Sequence, residues 1–284
     1  FTGSGNIGKH VMRAASENLV PLTLELGGKS PVIVSDSSNI DITARRVMFN
    51  KTLNAGQICL APDYVYVHET EKDNFVEACK NQVNKFYSDL KYNPDYTSVI
   101  NEKHYDRLNG LLSDAKDHGA ELVEINPANE DFSQQESHKI PPTLVLNPTD
   151  EMQIMKEEIF GPLLPIKTYK DINEPINYIN KNDKPLGLYY FGNNKNEEAK
   201  VVNSTTSGGV TVNDIMGHIQ QNELGFGGVG PSGMGKYDGF DGFMNFSNNK
   251  PIYKQIGFGL DKLLDAIRPP YKGSIEDVLK KLLK

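Results

Sequence analysis

The decapeptide Asn54-Ala55-Gly56-Gln57-Ile58-Cys59-Leu60-Ala61-Pro62-Asp63 connects two segments with different hydrophobic periodicities. Residues 42–53, before it, have the spacing of a helix, and the alternating residues 64–68, after it, are typical of a strand. Gly56 interrupts the helical pattern. The sequence therefore predicts a turn between a helix and a strand, and this turn presents Cys59.

A second unusual stretch, Leu24-Glu25-Leu26-Gly27-Gly28-Lys29-Ser30-Pro31, lies upstream at the end of a predicted strand. It places a glutamate in an apolar strand and follows it with two glycines. Each residue has an ordinary interpretation on its own, because a lone cysteine among apolar residues is usually a small buried hydrophobe and a strand-end glutamate is usually solvated. The two contexts together make Cys59 and Glu25 candidates for chemistry.

Two further motifs complete a set of four. Glu157-Glu158-Ile159-Phe160-Gly161-Pro162 and Phe226-Gly227-Gly228-Val229-Gly230-Pro231-Ser232-Gly233-Met234-Gly235 follow the glutamate and cysteine stretches in that order. The four strings resemble the glutamate, cysteine, cofactor-ribose and glycine-rich motifs of the aldehyde dehydrogenase superfamily. The residues at 59–64, 207–211 and 268–271 resemble its class-three branch, which includes fatty, aromatic and coniferyl aldehyde dehydrogenases.

Strands alternate with helices along the chain, which predicts an α/β fold with a mostly parallel sheet. The resemblance implies three parts: a remnant of a Rossmann-like NAD(P)-binding domain at 1–26, a catalytic domain at 27–225, and a glycine-rich segment with an interdomain and oligomerisation tail at 226–284. The chain begins at Phe1 inside an apparent functional loop, so we expect a piece of a longer protein. The tail is predicted to hold helices at 259–267 and 274–284.

The charge balance, the cysteine and histidine counts and the apolar runs argue against several classes of protein. Thirty basic and 37 acidic residues give a formal charge of −7, which argues against a nucleic-acid surface. Two cysteines make no disulfide framework, the six histidines are scattered rather than clustered with metal spacing, and no apolar run approaches the ~18 residues of a membrane span. We expect no metal, a cytoplasmic location and, by resemblance, a homodimer.

The opening Phe1-Thr2-Gly3-Ser4-Gly5-Asn6-Ile7-Gly8 spells Gly-x-Gly-x-x-Gly at the start of a predicted helix. Such a loop brings backbone N–H groups to phosphates, and Ser4 is expected either to contact a phosphate or to cap the helix. In a standard dinucleotide-binding fold, Glu25 would be the acidic residue that binds the ribose hydroxyls. The motif that continues after Glu25 favours the catalytic base instead.

Oxidation of an aldehyde by hydride transfer needs a thiolate that adds to the carbonyl, a base that activates water against the resulting thioester, and a hydride acceptor. By resemblance, Cys59 is the nucleophile and Glu25 the base. The backbone N–H of Cys59 is one candidate donor for the oxyanion. By resemblance, the second donor and the residues that bind the adenosine ribose would lie upstream of Phe1. The choice between NAD and NADP therefore stays open.

The resemblance also assigns the binding residues. The cofactor set is Gly3, Ser4, Gly5, Gly8, Leu26, Gly27, Glu158 and Phe160, in which Glu158 binds the nicotinamide ribose and Phe160 packs near the nicotinamide. The residues expected to line the path of a small-molecule aldehyde substrate are Thr211, Asn213, His218 and Phe226. Cys79 lies on the apolar face of a predicted amphipathic helix and is expected in the core.

Two alternatives remain. Acyl-phosphate and acyl-CoA reductases of the same superfamily share the cysteine but can dispense with the water-activating glutamate, so Glu25 favours hydrolysis to the free acid. The chain could also be a non-catalytic fragment or a family member recruited as a structural protein. The presence of Glu25, Cys59 and Glu158 argues against recruitment, but a catalytic half alone is expected to be inactive.

Overall fold

The computed structural model describes residues 1–255, 268–269 and 275–283 of the chain. Two compact units are distinguished, residues 1–246 and residues 247–284. The predicted helix at 259–267 lies outside the described residues. The other predicted tail helix is present at Ile275–Leu282.

The central feature of the first unit is a seven-stranded sheet. Its strands, in chain order, are β2 (Pro31–Val34), β3 (Tyr64–His68), β4 (Glu121–Glu124), β5 (Thr143–Leu146), β6 (Leu163–Tyr169), β7 (Gly187–Phe191) and β8 (Gly209–Val212). They are ordered β4-β5-β6-β3-β2-β7-β8. Only the pairing of β4 with β5 is antiparallel, so the predicted mostly parallel α/β sheet is confirmed.

A two-stranded ladder stands apart from this sheet. Strand β1 (Leu24–Glu25) pairs antiparallel with β9 (Gly233–Met234), and Glu25 is opposite Gly233. The sequence predicts a strand at Glu25 but only an irregular loop at β9, because glycine and methionine carry no strand signal. The glycine-rich segment therefore returns to the strand that carries Glu25.

Helices account for most of the remaining regular structure. They are α1 (Gly5–Ser16), α2 (Ile40–Thr52), α3 (Lys72–Phe86), α4 (Glu102–Asp117), α5 (Gln153–Lys156), α6 (Asn173–Lys181), α7 (Lys195–Ser204), α8 (Gly239–Asn245) and α9 (Ile275–Leu282), with short 3₁₀ turns at Leu53–Gly56 and Glu69–Glu71. Helix α8 begins inside the segment predicted to be a loop.

The sheet has a core cluster on each face. Val32, Val34, Val65 and Val67 belong to the cluster with side chains of α2 and α3. Their neighbours Ile33, Tyr64 and Tyr66 belong to the cluster with side chains of α4, α6 and α7. Successive strand residues point to opposite faces, so a central parallel strand is buried on both sides and its residues are apolar throughout.

No helix among the described parts of the chain combines the length and the apolar character needed to cross a membrane. Within those same parts, His, Cys, Asp and Glu side chains form no group of three that could hold a metal ion.

Candidate active site

The turn that presents Cys59 begins where α2 ends. Asn54, Ala55 and Gly56 have φ values of 50°, 52° and 71°, so three consecutive residues are left-handed. Asparagine and glycine tolerate this region, whereas alanine is strained there. A Cβ at Gly56 would lie 2.4 Å from the carbonyl oxygen of Gly161, so the turn packs directly on the segment that follows Glu158.

Gln57 holds this turn in place, a role that the sequence analysis did not assign. Its side-chain amide donates to the carbonyl of Asn54 and to the carbonyl of Ser98, both at 3.0 Å. Its Oε1 accepts the N–H of Ile100 at 2.9 Å. The polar residue two positions before Cys59 therefore connects the turn to a separate loop, which a local sequence pattern does not reveal.

Cys59 is half-buried and packs against the core cluster that contains Leu60, Tyr189 and Phe226. Burial raises the pKa of its thiol to about 11, and the nearby carboxylates of Glu25 and Glu158 contribute in the same direction. The backbone N–H groups of Cys59 and Leu60 act in the opposite direction. The resting thiol is therefore protonated at neutral pH, with both carboxylates close enough to influence it.

Glu25, in β1, is a buried carboxyl. The residue is 4% exposed, and neither carboxylate oxygen has a hydrogen-bond partner. Burial raises the pKa of this carboxyl to about 7, because a charged carboxylate loses its hydration there. At neutral pH Glu25 therefore exchanges a proton readily, as a general base requires.

Glu158 lies against the backbone of the glutamate motif. A Cβ at Gly27 would lie 2.2 Å from Glu158 Oε1, so only glycine allows this approach. Burial and the charge of Asp63 raise the pKa of Glu158 to about 7, although the Gly28 N–H, Lys29 and Arg107 oppose the shift. Two carboxyls of similar pKa therefore flank one thiol.

A cavity of about 1090 Å³ opens beside Glu158. Six of the eight residues predicted for the cofactor line it: Ser4, Gly5, Gly8, Leu26, Gly27 and Glu158. Gly3 and Phe160 are not among its lining residues, and Phe160 is 37% exposed in a left-handed conformation. Ser4 precedes α1 without a side-chain capping bond, so its hydroxyl remains available to a ligand.

The predicted substrate residues divide into two groups. Thr211 Oγ1 is 2.8 Å from His218 Nδ1, and the His218 ring stacks on Phe226 with centroids 5.9 Å apart. Both side-chain amide atoms of Asn213 instead bind the backbone of Gly192, at 2.9 and 3.0 Å. The structure thus brings Thr211, His218 and Phe226 together and engages the amide of Asn213 elsewhere.

Two tyrosines near Cys59 escaped the sequence analysis. The Tyr189 hydroxyl donates to the carbonyl of Leu60 at 2.7 Å. Burial raises the pKa of Tyr237 to about 12, and the charges of Glu25, Asp238 and Cys59 add to this effect. Tyr189 lies in the apolar strand β7 and Tyr237 in the glycine-rich segment, and the sequence analysis assigned no role to either.

Comparison with known proteins places this geometry in context. The profile of the "Aldehyde dehydrogenase family" matches residues 1–252. A probable coniferyl aldehyde dehydrogenase of Caulobacter vibrioides is 53% identical over 98% of this chain and 57% of its own length. The coniferyl aldehyde dehydrogenase of a Pseudomonas species is 50% identical over 100% of this chain and 58% of its own length.

Solved structures agree with the fold. The substrate-bound state of AldH from Staphylococcus aureus superposes with a TM-score of 0.83 at 42% identity, over 100% of this chain and 60% of that one. Betaine aldehyde dehydrogenase from the same species, in complex with NAD⁺, superposes with a TM-score of 0.77 at 26% identity, over 87% of this chain and 49% of that one. The chain thus spans less than two thirds of the proteins it matches.

Proposed function

Because the chain belongs to the aldehyde dehydrogenase family, we propose that the whole protein uses NAD or NADP to oxidise an aldehyde to its carboxylic acid. The observation that carries the proposal is the half-buried Cys59 thiol with two carboxyls, Glu25 and Glu158, close enough to raise its pKa. A thiol nucleophile beside a carboxyl that can act as a base suits covalent acyl chemistry.

Cys59 is the proposed nucleophile. A thiol with a pKa of about 11 is ionised in only about one molecule in ten thousand at pH 7. Its proton must therefore leave as the sulfur attacks the carbonyl carbon. The carboxyl of Glu25, with a pKa of about 7, is the proposed acceptor at neutral pH. The N–H groups of Cys59 and Leu60 lower the pKa of the thiol, so they are suited to stabilise an oxyanion that forms next to the sulfur.

Glu25 is the proposed base for the second half-reaction. Loss of hydride leaves a thioester on Cys59, which water must hydrolyse. The two oxygens of Glu25 have no partner in the protein, so a water molecule between Glu25 and the thioester would satisfy a group that is otherwise orphaned. This arrangement supports release of a free acid and distinguishes the proposal from an acyl-phosphate or acyl-CoA reductase.

The residues around the large cavity fit a dinucleotide. The unused hydroxyl of Ser4 and the free N–H groups at the start of α1 suit a phosphate, and the close contact of Glu158 with Gly27 leaves its carboxylate beside the cavity for ribose hydroxyls. When bound, the oxidised nicotinamide would accept the hydride. We propose that Ser4, Gly5, Gly8, Leu26, Gly27 and Glu158 hold the cofactor, with Gly3 and Phe160 at its margins.

The proposed substrate is an aromatic or medium-chain aliphatic aldehyde. His218, Phe226 and Tyr237 form a chain of ring contacts, with Phe226 and Tyr237 5.3 Å apart edge to face. Such a wall suits a flat or apolar substrate. Relatives named for coniferyl aldehyde support the aromatic choice. A homodimer, the cytoplasmic location and the three-part division of the chain stay predictions.

A stopped-flow record of NADH or NADPH formation by the full-length protein tests the proposal. Wild type, Cys59→Ser and Glu25→Gln are compared with coniferaldehyde and with hexanal. We expect Cys59→Ser to abolish reduction. Glu25→Gln should slow the steady state by about 10²-fold, because general-base catalysis of thioester hydrolysis is lost, and should slow the first burst of NAD(P)H less. Cofactor reduction that survives Cys59→Ser would refute the proposal.

A further inference from the structure

A buried group of charges lies behind the candidate active site and takes no part in the chemistry proposed above. Asp63 is four residues after Cys59 and is 2% exposed, and Lys51, from the last turn of α2, is 1% exposed. Lys29 follows the two glycines of the glutamate motif. Buried charges persist only where partners satisfy them, so the partners of these three side chains are informative.

The two carboxylate oxygens of Asp63 serve different segments. Oδ1 accepts from the ammonium of Lys29, and Oδ2 accepts the backbone N–H of Ile159 at 2.8 Å. The Asp63 N–H itself donates to the carbonyl of Ser30 at 2.9 Å. One residue of the cysteine segment therefore contacts both the glutamate segment and the residue next to Glu158.

Lys29 extends the same connection. Besides Asp63, its ammonium donates to the carbonyl of Ile154 at 2.8 Å and to the carbonyl of Glu157 at 2.9 Å. All three of its donors are therefore used, two of them by the short segment that leads into Glu158. Lys29 thus holds this segment from the side of the glutamate motif, while Asp63 holds it from the side of the cysteine.

Lys51 fixes the cysteine segment at its other side. Its ammonium donates to the carbonyl of Pro62 at 2.8 Å, immediately before Asp63. Burial lowers the pKa of Lys51 to about 8, and the charge of Asp63 opposes this shift. The helix that precedes Cys59 and the strand that follows it are therefore joined beneath the turn.

We propose that Asp63 is a positioning residue that sets the placement of the Glu158 carboxylate relative to the Cys59 thiol. The proposal rests on the proposed function, in which Glu158 binds the nicotinamide ribose and Cys59 attacks the aldehyde. A carboxylate is required because it accepts from both directions at once. An asparagine would turn an N–H group either toward the Lys29 ammonium or toward the Ile159 N–H, so one contact would be lost.

The test uses the full-length protein with Asp63→Asn and, as a second variant that leaves the cysteine segment untouched, Lys29→Gln. Glu130→Gln is the matched control, because Glu130 also accepts backbone N–H groups from another segment, those of Leu90 and Lys91, but lies outside the site. Two measurements need no cofactor: alkylation of Cys59 by iodoacetamide and hydrolysis of 4-nitrophenyl acetate. Two others report cofactor placement: NADH binding by fluorescence and single-turnover hydride transfer.

For Asp63→Asn and Lys29→Gln we expect alkylation and ester hydrolysis to stay within about threefold of wild type. NADH binding should weaken, and hydride transfer at saturating cofactor should slow, each by about tenfold or more, because misplacement by about 1 Å is costly to reacting groups. The loss in the double variant should be smaller than the sum of the two single losses, since both variants affect the contact between Asp63 and Lys29. Glu130→Gln should lower the melting temperature and leave all four measurements unchanged.

Equal losses in all four measurements, or no loss in any, would overturn the proposal, since the first indicates general disorder of the turn and the second a bystander. Failure of the proposed function gives a different result, in which wild type itself shows no Cys59-dependent hydride transfer. In that case NADH binding still compares Asp63→Asn with Glu130→Gln. Equal NADH affinity of these two variants would then reject the positioning role by itself.

Discussion

The two cysteines of this chain occupy contrasting environments. Cys79 lies in the middle of helix α3, fully buried beside Phe75 and Val83 in regular backbone. Cys59 follows three left-handed residues and lies half-buried near two carboxyls. Burial raises the pKa of both thiols, but of the two only Cys59 has neighbouring carboxyls that also influence its thiol, and Glu25 is the proposed acceptor of its proton. The comparison teaches that the surroundings of a thiol, and not its burial alone, decide whether it can react.

Replacing each cysteine with alanine should give the largest difference in activity between the two sites. In the full-length protein, Cys59→Ala should lower dehydrogenase activity by at least about 10⁴-fold, as expected for loss of a nucleophile, with little change in stability. Cys79→Ala should keep the activity per folded molecule and lower the free energy of unfolding by roughly 1–2 kcal/mol, because it removes a packed core atom. Initial rates and urea unfolding measure the two effects. A large loss of activity per folded molecule in Cys79→Ala would contradict the assignment of Cys79 to the core alone.

Two glycine substitutions should differ by a smaller amount, because one lies in the left-handed turn before Cys59 and the other in a regular helix. Gly56→Ala introduces a Cβ at φ 71° and 2.4 Å from the Gly161 carbonyl, so the turn must shift. We expect a loss of about 1–3 kcal/mol in stability and of about tenfold in activity. Gly110→Ala, in α4 with open space around it, should instead add about 0.5–1 kcal/mol. Unchanged activity in Gly56→Ala would show that the left-handed turn does not position Cys59.

The smallest expected effect concerns the stability cost of Glu25. Its pKa of about 7 in the folded protein lies above the ordinary value of 4.5, so folding favours the protonated form and stability falls as pH rises from about 4.5 to about 7. Glu25→Gln should therefore raise the melting temperature by a few degrees at pH 8, with the gain shrinking toward pH 5. Glu77→Gln, on the exposed face of α3, is the control. A pH-independent gain in Glu25→Gln would argue against a buried charge at this position.

Much of the fold could be predicted from periodicity. The strand at Tyr64–His68 has the predicted bounds, because alternating β-branched and aromatic residues mark it without ambiguity. Strand β9 was missed, since Gly233 and Met234 form a strand only through their pairing with β1. Helix α8 was missed for a related reason, because its glycines are typical of loops.

The candidate site also has residues that the sequence predicts and residues that it does not. Motifs identified Cys59, Glu25 and Glu158, because chemistry limits the residue types that can fill those roles. Gln57 and Asp63 contact segments that are distant in sequence, and no local pattern reports such contacts. For Asn213 the resemblance predicts a substrate contact, and its side-chain amide binds the backbone of Gly192, a contact that the sequence did not predict.

The pairing of β1 with β9 also has a consequence for how the protein is made. The ladder joins residues roughly two hundred positions apart, and Asn245 donates to Thr23 at 2.7 Å across the same gap. Adjacent strands of the main sheet form from nearer parts of the chain, and contacts of long sequence separation form slowly. A ribosome must therefore release the glycine-rich segment before Glu25 acquires its final neighbours, and we expect catalytic competence to appear after the sheet during synthesis and refolding.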